Sequence, residues 1–474
     1  MPPLPQGVTH GAPHVPPEEI RTAFSRAMSQ MYRAEVPQYG TLVDLVAEVN
    51  TACLAADPAL NAALANAGEL ERLDVERHGA IRLGTAAELF HIRRLFAVMG
   101  MHPVGYYDLS VAGVPVHSTV FRPIGDAALR RNPFRVFTSL LRLELIADAG
   151  LRAEAERILS QRRIFTPRAL ELVATFEAEG GLDAAQAETF VREALETFRW
   201  HREATVDRAA YERLIAAHRL IADVVCFRGP HINHLTPRTL DIDAVQALMP
   251  AHGIAPKAVI EGPPRRACPI LLRQTSFKAL EEPVAFAGEG TGDGGTHTAR
   301  FGEIEQRGIA LTPEGRRLYD ALLDAARADT QASGSHAGAY EAALSARFRD
   351  FPDDWKTMRR DGLAYFRYAP TEAGLAAGGI ETSDPEALVA AGHLGFSPIV
   401  YEDFLPVSAA GIFQSNLGGA TQASYAGHAS REAFEAALGA RLADPFALYA
   451  EAQARSLTDA LVRLGQRRPH AASV

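Results

Sequence analysis

The sequence predicts an α+β fold: two strand–helix–three-strand (βαβββ) units whose curved sheets enclose one cavity, with large helical insertions and a helical C-terminal region. Three observations predict it. The run Glu76-Arg77-His78-Gly79-Ala80-Ile81-Arg82-Leu83-Gly84-Thr85 alternates as a strand does and leads into a helix and further strands. A long stretch rich in Ala, Glu, Leu and Arg follows. The first order then returns after Asn233-His234-Leu235-Thr236: short strand, helix, a Gly253/Pro256 break, strands.

Residues 1–18, with Pro2, Pro3, Pro5, Pro13, Pro16 and Pro17, read as a flexible leader. Residues 19–124 hold N-terminal helices, with apolar positions at Leu42, Leu45, Val46 and Val49, and then the first unit. There Thr85 and Glu88 form a capping box for a helix that ends at Gly100 and buries Leu89, Ile92, Phe96 and Met99 on one stripe. Strands near 104–109 and 114–121 complete it. Residues 125–220 read as a helical insertion. Residues 221–312 form the second unit, with a helix at about 241–251 and strands near 258–261, 270–277, 284–286 and 299–307. Residues 313–465 are mainly helical with short strands near 365–368 and 396–400, and 466–474 form a tail. The Ala-rich helices at 318–346 and 430–464 serve either the core or a homo-oligomer surface.

Composition limits the function classes. Hydrophobic residues make up 47% and charged residues 22% of the 474, an ordinary soluble balance. A net charge of −9 argues against nucleic acid or an anionic membrane as partner. No apolar run reaches membrane-spanning length, and no signal-peptide core is present. Cys53, Cys226 and Cys268 are unclustered and odd in number, which fits reduced thiols in a cytoplasm.

On the first strand, His78, Ala80 and Arg82 share one face while Ile81 and Leu83 take the other. An imidazole beside a fixed cation suits a metal centre that also holds an anionic ligand. His234 and the strand 301–307 supply further candidates, and His78, His234 and Glu303 make two imidazoles and a carboxylate, the ligand set of non-haem Fe(II) oxygenases. With 16 histidines in the chain, a hydrogen-bonded structural role is the default for any one of them. Glu303 and Glu305 lie on one strand face with Phe301 and Arg307, so periodicity does not choose between them, and Glu305 with Arg307 also reads as a solvated, charge-paired edge. His231 rivals His234, and a His-x-x-His pair binds zinc in some proteins, though no CxxC or HExxH context accompanies it. Arg238 follows His234 by four residues, as Arg82 follows His78. Gly288, Gly290, Gly292, Gly294 and Gly295 mimic a phosphate loop, but no Gly-Lys-Ser/Thr follows, and a hairpin connection beside the Glu303 strand fits better. Arg265-Arg266 and Arg359-Arg360 read as solvated faces. Gln274, Ser276 and Lys278 share a strand face that lines either the cavity or its rim.

The run His78-Gly79-Ala80-Ile81-Arg82-Leu83-Gly84-Thr85, the Asn233-His234-Leu235-Thr236 segment before Asp241-Ile242-Asp243, and Phe301-Gly302-Glu303-Ile304-Glu305-Gln306-Arg307-Gly308 together resemble the 2-oxoadipate dioxygenase/decarboxylases of the vicinal oxygen chelate superfamily. The resemblance spans roughly residues 70–420. It implies a vicinal-oxygen-chelate-like pair of modules around a metal site, with Fe(II) held by His78, His234 and a glutamate. A superfamily cousin, hydroxyphenylpyruvate dioxygenase, ends in Glu-Ile-Ile-Gln-Arg with the first glutamate on iron, which points to Glu303 before Glu305. The family's substrate arginine falls on Arg82, and its Val-Ser substrate contact on Val407-Ser408. The implied reaction takes a small 2-oxo diacid and O2: oxidative decarboxylation and hydroxylation of 2-oxoadipate to 2-hydroxyglutarate and CO2, in lysine degradation. The alternatives are another metalloenzyme of the superfamily, a ring-cleaving dioxygenase or a glyoxalase-type isomerase, or a non-catalytic metal- or ligand-binding protein.

Overall fold

The computed structural model describes residues 13–289, 294–298, 300–333, 337–377, 380, 382–405 and 428–465. Strand β1 (Arg77–Leu83) leads through the helix Ala86–Val98 to β2 (His102–Asp108), β3 (Val116–Arg122) and β4 (Arg135–Leu141). With β5 (Leu235–Pro237) they form one sheet in the order β2-β3-β4-β1-β5. β1 runs parallel to β4, pairing His78 with Arg135 and Leu83 with Leu140, and antiparallel to β5, pairing His78 with Thr236.

The alternation read from β1 is realised, but both faces are covered. Ile81 and Leu83 join a core with Leu42, Leu45, Val46, Val49, Leu89, Ile92, Phe96 and Met99. Ala80 joins a second core on the other side, with Val116, Val120, Phe137 and Leu141 and the buried residues of the helices Ala149–Gln161, Arg208–Ala217 and Arg219–Val225. Thr85 caps the helix Ala86–Val98 by accepting from Glu88 N–H. The reciprocal half of the box differs: the Glu88 carboxylate accepts from Gly84 N–H and pairs with Arg162.

β4 corrects the expectation of helix throughout 125–220. Arg135-Val136-Phe137-Thr138-Ser139-Leu140-Leu141 is buried at every position. A strand covered on both faces loses the polar/apolar alternation that identifies half-exposed strands, so periodicity is blind to it. Apart from the short helix Asp126–Arg131, the helices of the insertion follow it. The leader is also shorter than expected: a helix spans Pro17–Glu35, and Val15 N–H donates to Leu182 O. Residues 1–12 and the tail from 466 lie outside the described residues.

The second half keeps the predicted order with less regular strands. After β5 come the helix Ile242–Leu248, β6 (Leu272–Ser276), β7 (Glu281–Val284), β8 (Gly295–Thr298) and β9 (Glu303–Arg307). β6 and β9 pair antiparallel, β7 and β8 form a hairpin, and a single parallel bridge, Arg238 to Glu305, ties β5 to β9. The strand expected at 258–261 is reduced to one bridge between Glu261 and Gln274. The glycine-rich segment is indeed the hairpin connection, and its residues 290–293 lie outside the described ones. Beyond it a third core packs the helices Pro313–Ser333, Ala337–Arg347 and Pro445–Arg463 around the hairpin of β10 (Phe366–Pro370) and β11 (Leu394–Pro398). Two arginines expected on solvated faces are half-buried: Arg266 donates to the carbonyls of Phe348, Phe351 and Pro352, and Arg359 pairs with Glu386. Arg265 and Arg360 are exposed.

Candidate metal centre

Three backbone segments converge on one buried point. β1 carries His78, the residue before β5 is His234, and β9 begins with Glu303. All three are fully buried, and one ligand atom from each lies within 4.8 Å of the others. Among the described residues they are the one His/Cys/Asp/Glu group so placed. The approach depends on Gly79: a Cβ there would stand 2.5 Å from Ile232 Cδ1 and 2.9 Å from the carbonyl oxygen of His234. Tyr32, on the helix Pro17–Glu35, directs its hydroxyl at the carbonyls of both Asn233 (2.9 Å) and Phe301 (2.8 Å). Phe301 N–H also donates to Asn233 O. The segments bearing His234 and Glu303 are thereby pinned together.

The donors are those a divalent cation requires. Neither ring nitrogen of His234 has a hydrogen-bond partner among the described residues, and neither does Glu303 Oε2. A buried polar atom left unsatisfied costs about 1–3 kcal/mol, so three at one point need a reason. Two neutral imidazoles and one carboxylate bring a charge of −1, which leaves a divalent ion net positive and receptive to an anion. The titration of these groups reflects their crowding. Burial, with the nearby charges of His78 and Arg82, holds the His234 pKa well below the ordinary imidazole value. Burial would also lower that of His78, but Glu305 and Glu303 outweigh it and raise it. Burial raises the Glu303 carboxyl above its usual range. A cation would displace the proton that His78 and Glu303 share, because ligation requires a neutral imidazole and an ionised carboxylate.

The structure separates Glu303 from Glu305. His78 lies between them, Nε2 3.0 Å from Glu303 Oε1 and Nδ1 3.0 Å from Glu305 Oε2. Both oxygens of Glu305 accept from Arg307 at 2.8 Å, and Arg135 adds a contact at 3.3 Å. Against the opposing effect of burial, Arg307 and His78 hold the Glu305 carboxyl down at about 2. It is thus an outer carboxylate behind the imidazole, an arrangement that orients ligating histidines. Glu303 Oε1 accepts from Gln274 Nε2 (2.9 Å) and Thr236 Oγ1 (3.1 Å). Of the trio on the β6 face, Gln274 and Ser276 are buried with the site and Lys278 is exposed.

Behind Glu305 the charge continues into the interior. Arg72, Arg135, Arg238 and Arg307 interleave with Glu69, Glu76, Glu305 and Glu402, four cations against four anions. Arg238 therefore does not mirror Arg82. Because β5 runs antiparallel to β1, moving forward from His234 leads back along β1 toward Glu76, away from Arg82. Arg238 Nη1 donates to Glu69 (2.7 Å) and Glu76 (3.0 Å).

Arg82 sits at the other end of β1. Its Nη1 donates to Asp223 Oδ2 (2.6 Å) and Asn233 Oδ1 (2.8 Å). His231 belongs to this second cluster and not to the triad: its Nε2 lies 3.4 Å from Asp223 Oδ1, and its ring meets Trp200 edge-on at 4.6 Å. Phe404 packs edge-on against His78 at 4.7 Å, and Phe301 lies 4.8 Å from the His234 ring. Val407 and Ser408 lie outside the described residues. Sequence reasoning missed Tyr32, Asn233's bracing role, Arg135 and Asp223. A buried tyrosine hydroxyl in need of a partner was the only local signal among them.

The family model of 2-oxoadipate dioxygenase/decarboxylases matches residues 24–416. The chain is 63% identical over 447 residues to the 2-oxoadipate dioxygenase/decarboxylase of Pseudomonas putida, covering 94% of this chain and 96% of that one. It is 62% identical over 441 residues to the enzyme of that name from Escherichia coli, covering 93% and 97%. A crystal structure of the Pseudomonas putida hydroxyglutarate synthase in complex with 2-oxoadipate superimposes with a TM-score of 0.89 at 60% identity, over 95% of this chain and 99% of that one.

Proposed function

Because the chain belongs to the 2-oxoadipate dioxygenase/decarboxylase family, we propose that it converts 2-oxoadipate and O2 into 2-hydroxyglutarate and CO2 with an iron(II) ion held by His78, His234 and Glu303. The observation that carries this reading is the fully buried His78–His234–Glu303 cluster, in which three polar atoms have no hydrogen-bond partner among the described residues. Bound there, iron(II) would supply the electrons that activate O2 and adjacent positions for the keto oxygen and carboxylate of a 2-oxo acid. In the overall reaction the C1–C2 bond breaks and C1 leaves as CO2. One oxygen atom completes the new carboxylate at C2 and the other becomes the hydroxyl at C3. A dianion and O2 give a dianion and CO2, so neither a proton nor a second co-substrate is required.

The chain's own residues hold the reactants. Glu305 fixes the imidazole of His78 from behind, and Gln274 and Thr236 fix Glu303. Phe301 and Phe404 wall the ligand rings with apolar surface, which keeps water out and strengthens the electrostatics inside. Arg82, on the same strand face as His78, grips a substrate carboxylate with a planar fork that matches it. In this reading the fold is of the vicinal-oxygen-chelate kind, with β1–β4 and β5–β9 as its two modules. Among the described residues no helix is long and apolar enough to cross a membrane. Three free cysteines support a cytoplasmic setting, where the reaction would serve lysine degradation. Oxygen uptake and CO2 release measured together test the reaction: equal amounts of O2, 2-oxoadipate and CO2 are expected without added 2-oxoglutarate. Turnover without oxygen, or dependence on a separate co-substrate, would overturn it.

A further inference from the structure

Beside the metal ligands lies a second buried cluster that the reaction as described does not use. Asp223, on the helix Arg219–Val225, is 6% exposed. Its Oδ2 takes a hydrogen bond from Arg82 Nη1 at 2.6 Å, and its Oδ1 lies 3.0 Å from His297 Nε2 and 3.4 Å from His231 Nε2. His297 Nδ1 in turn stands 2.8 Å from the hydroxyl of Tyr211. Against the opposing effect of burial, Arg82 and the two histidines keep Asp223 ionised, so it only accepts and His297 Nε2 carries the N–H aimed at it. In the neutral ring Nδ1 is then the acceptor of the Tyr211 hydroxyl. Trp200 lies parallel to the His297 ring at 6.3 Å and edge-on to His231. The carboxylate is therefore held in place from several elements: β1, the segment before β5, β8 and the helix Arg208–Ala217.

The second partner of Arg82 gives this anchoring its consequence. Both hydrogens of Nη1 are directed, one to Asp223 and one to Asn233 Oδ1. Asn233 is itself immobile: its side-chain and backbone N–H groups both donate to Ala80 O, and its carbonyl accepts from Phe301 N–H and Tyr32. It also immediately precedes His234. Two fixed acceptors on one nitrogen set the plane of the guanidinium relative to the metal ligands. A lone salt bridge to a long side chain would not do that.

We propose that Asp223 is a positioning residue for the reaction: with Asn233 it fixes the plane in which Arg82 grips the substrate carboxylate, and His297 and Tyr211 fix Asp223. The proposal rests on the reading of Arg82 as the substrate's carboxylate partner. The grip decides which carbon of the bound acid is in reach when the second oxygen atom is delivered, and a misplacement of about 1 Å can cost about a hundredfold in rate. Asp223 also competes with the substrate for the Arg82 charge, so its loss does not weaken binding even as it spoils alignment.

The test compares iron-loaded wild type with Asp223→Asn, which keeps the shape and removes the charge, and with Tyr211→Phe, which removes one hydroxyl at the far end of the chain of contacts. Metal content, kcat, KM and products are measured with ascorbate present. For Asp223→Asn we expect wild-type metal content, kcat reduced at least tenfold and KM no higher than wild type. Glutarate should accumulate beside 2-hydroxyglutarate. Glutarate is the product when C1 leaves as CO2 and C2 is oxidised to carboxylate without hydroxylation at C3, ascorbate reducing the remaining oxygen atom to water. Tyr211→Phe should shift the product ratio in the same direction to a smaller degree, and it serves alone if Asp223→Asn does not fold. An unchanged product ratio in the variants would overturn the proposal, as would activity lost only in proportion to lost metal. Failure of the underlying reading is seen separately, in wild-type protein that does not consume 2-oxoadipate or in an Arg82→Lys variant with wild-type kinetics.

Discussion

Arg82 and the two glutamates of β9 mark how far a residue can be understood from its neighbours in sequence. Alternation placed His78 with Arg82, and Glu303 with Glu305, on shared strand faces, and the structure keeps both pairs together. Choosing between the glutamates required Arg307 and Arg135, which claim both oxygens of Glu305, whereas Glu303 Oε2 has no partner among the described residues. Arg135 comes from a strand that periodicity could not detect, and Asp223 is 141 residues from Arg82. Such pairings are long-range and leave no local trace. For Arg82 itself the expected outcome of Arg82→Lys is turnover of 2-oxoadipate reduced well over tenfold at unchanged metal content. An ammonium keeps the charge but cannot present two acceptors and a substrate carboxylate with donors in one plane. Steady-state kinetics on metal-matched protein check this, and wild-type kinetics would make Arg82 a structural cation.

Among the elements, β1 does most to place the site, because its antiparallel pairing with β5 brings His78 beside His234. The helix Ala86–Val98 was legible down to its buried stripe, since one wall of a two-faced helix leaves a 3.6-residue signature. β4 was not, for the reason that makes it useful: it is covered on both sides and supplies Arg135 from the interior. Gly79 is where the element tolerates least. Its φ is not unusual, but an added methyl would meet the His234 carbonyl at 2.9 Å, and a backbone carbonyl at the mouth of a paired strand has little room to swing aside. Gly79→Ala should therefore cost about 1–3 kcal/mol of stability, as overpacking does. It should also lower metal affinity, because the β1–β5 separation sets the His78–His234 distance. Thermal unfolding of metal-free protein and a metal titration read the two effects apart.

Across the whole molecule, the first half and the C-terminal region are joined through charge as well as apolar packing. Glu402, far along the chain, takes both terminal nitrogens of Arg72 (2.8 and 2.9 Å) and Arg135 Nη2 (2.5 Å). Burial would raise its pKa, but Arg72 and Arg135 hold it at about 2, below the ordinary 4.5. Between those values the unfolded chain takes up the proton first, so this contribution is complete above about pH 4.5 and is lost as pH falls toward 2. Glu402→Gln should destabilise by about 3–5 kcal/mol at neutral pH, by leaving buried cations uncompensated. It should also flatten the acid limb of the stability curve, which denaturant unfolding between pH 3 and 7 would record. Of this network only the Glu305–Arg307 pair was visible in the sequence, and its burial was not, whereas the α+β class and the recurrence of strand, helix and strands around two histidines were. In the proposed reaction the buried His78–His234–Glu303 centre binds iron(II) and presents it to a 2-oxo diacid. Anaerobic titration of the iron(II)-loaded protein with 2-oxoadipate tests it most directly. A visible metal-to-ligand charge-transfer band should grow and saturate at one equivalent per chain, and both iron and band should be missing in His234→Ala. No band in iron-loaded wild type, or the same band in His234→Ala, would contradict the account.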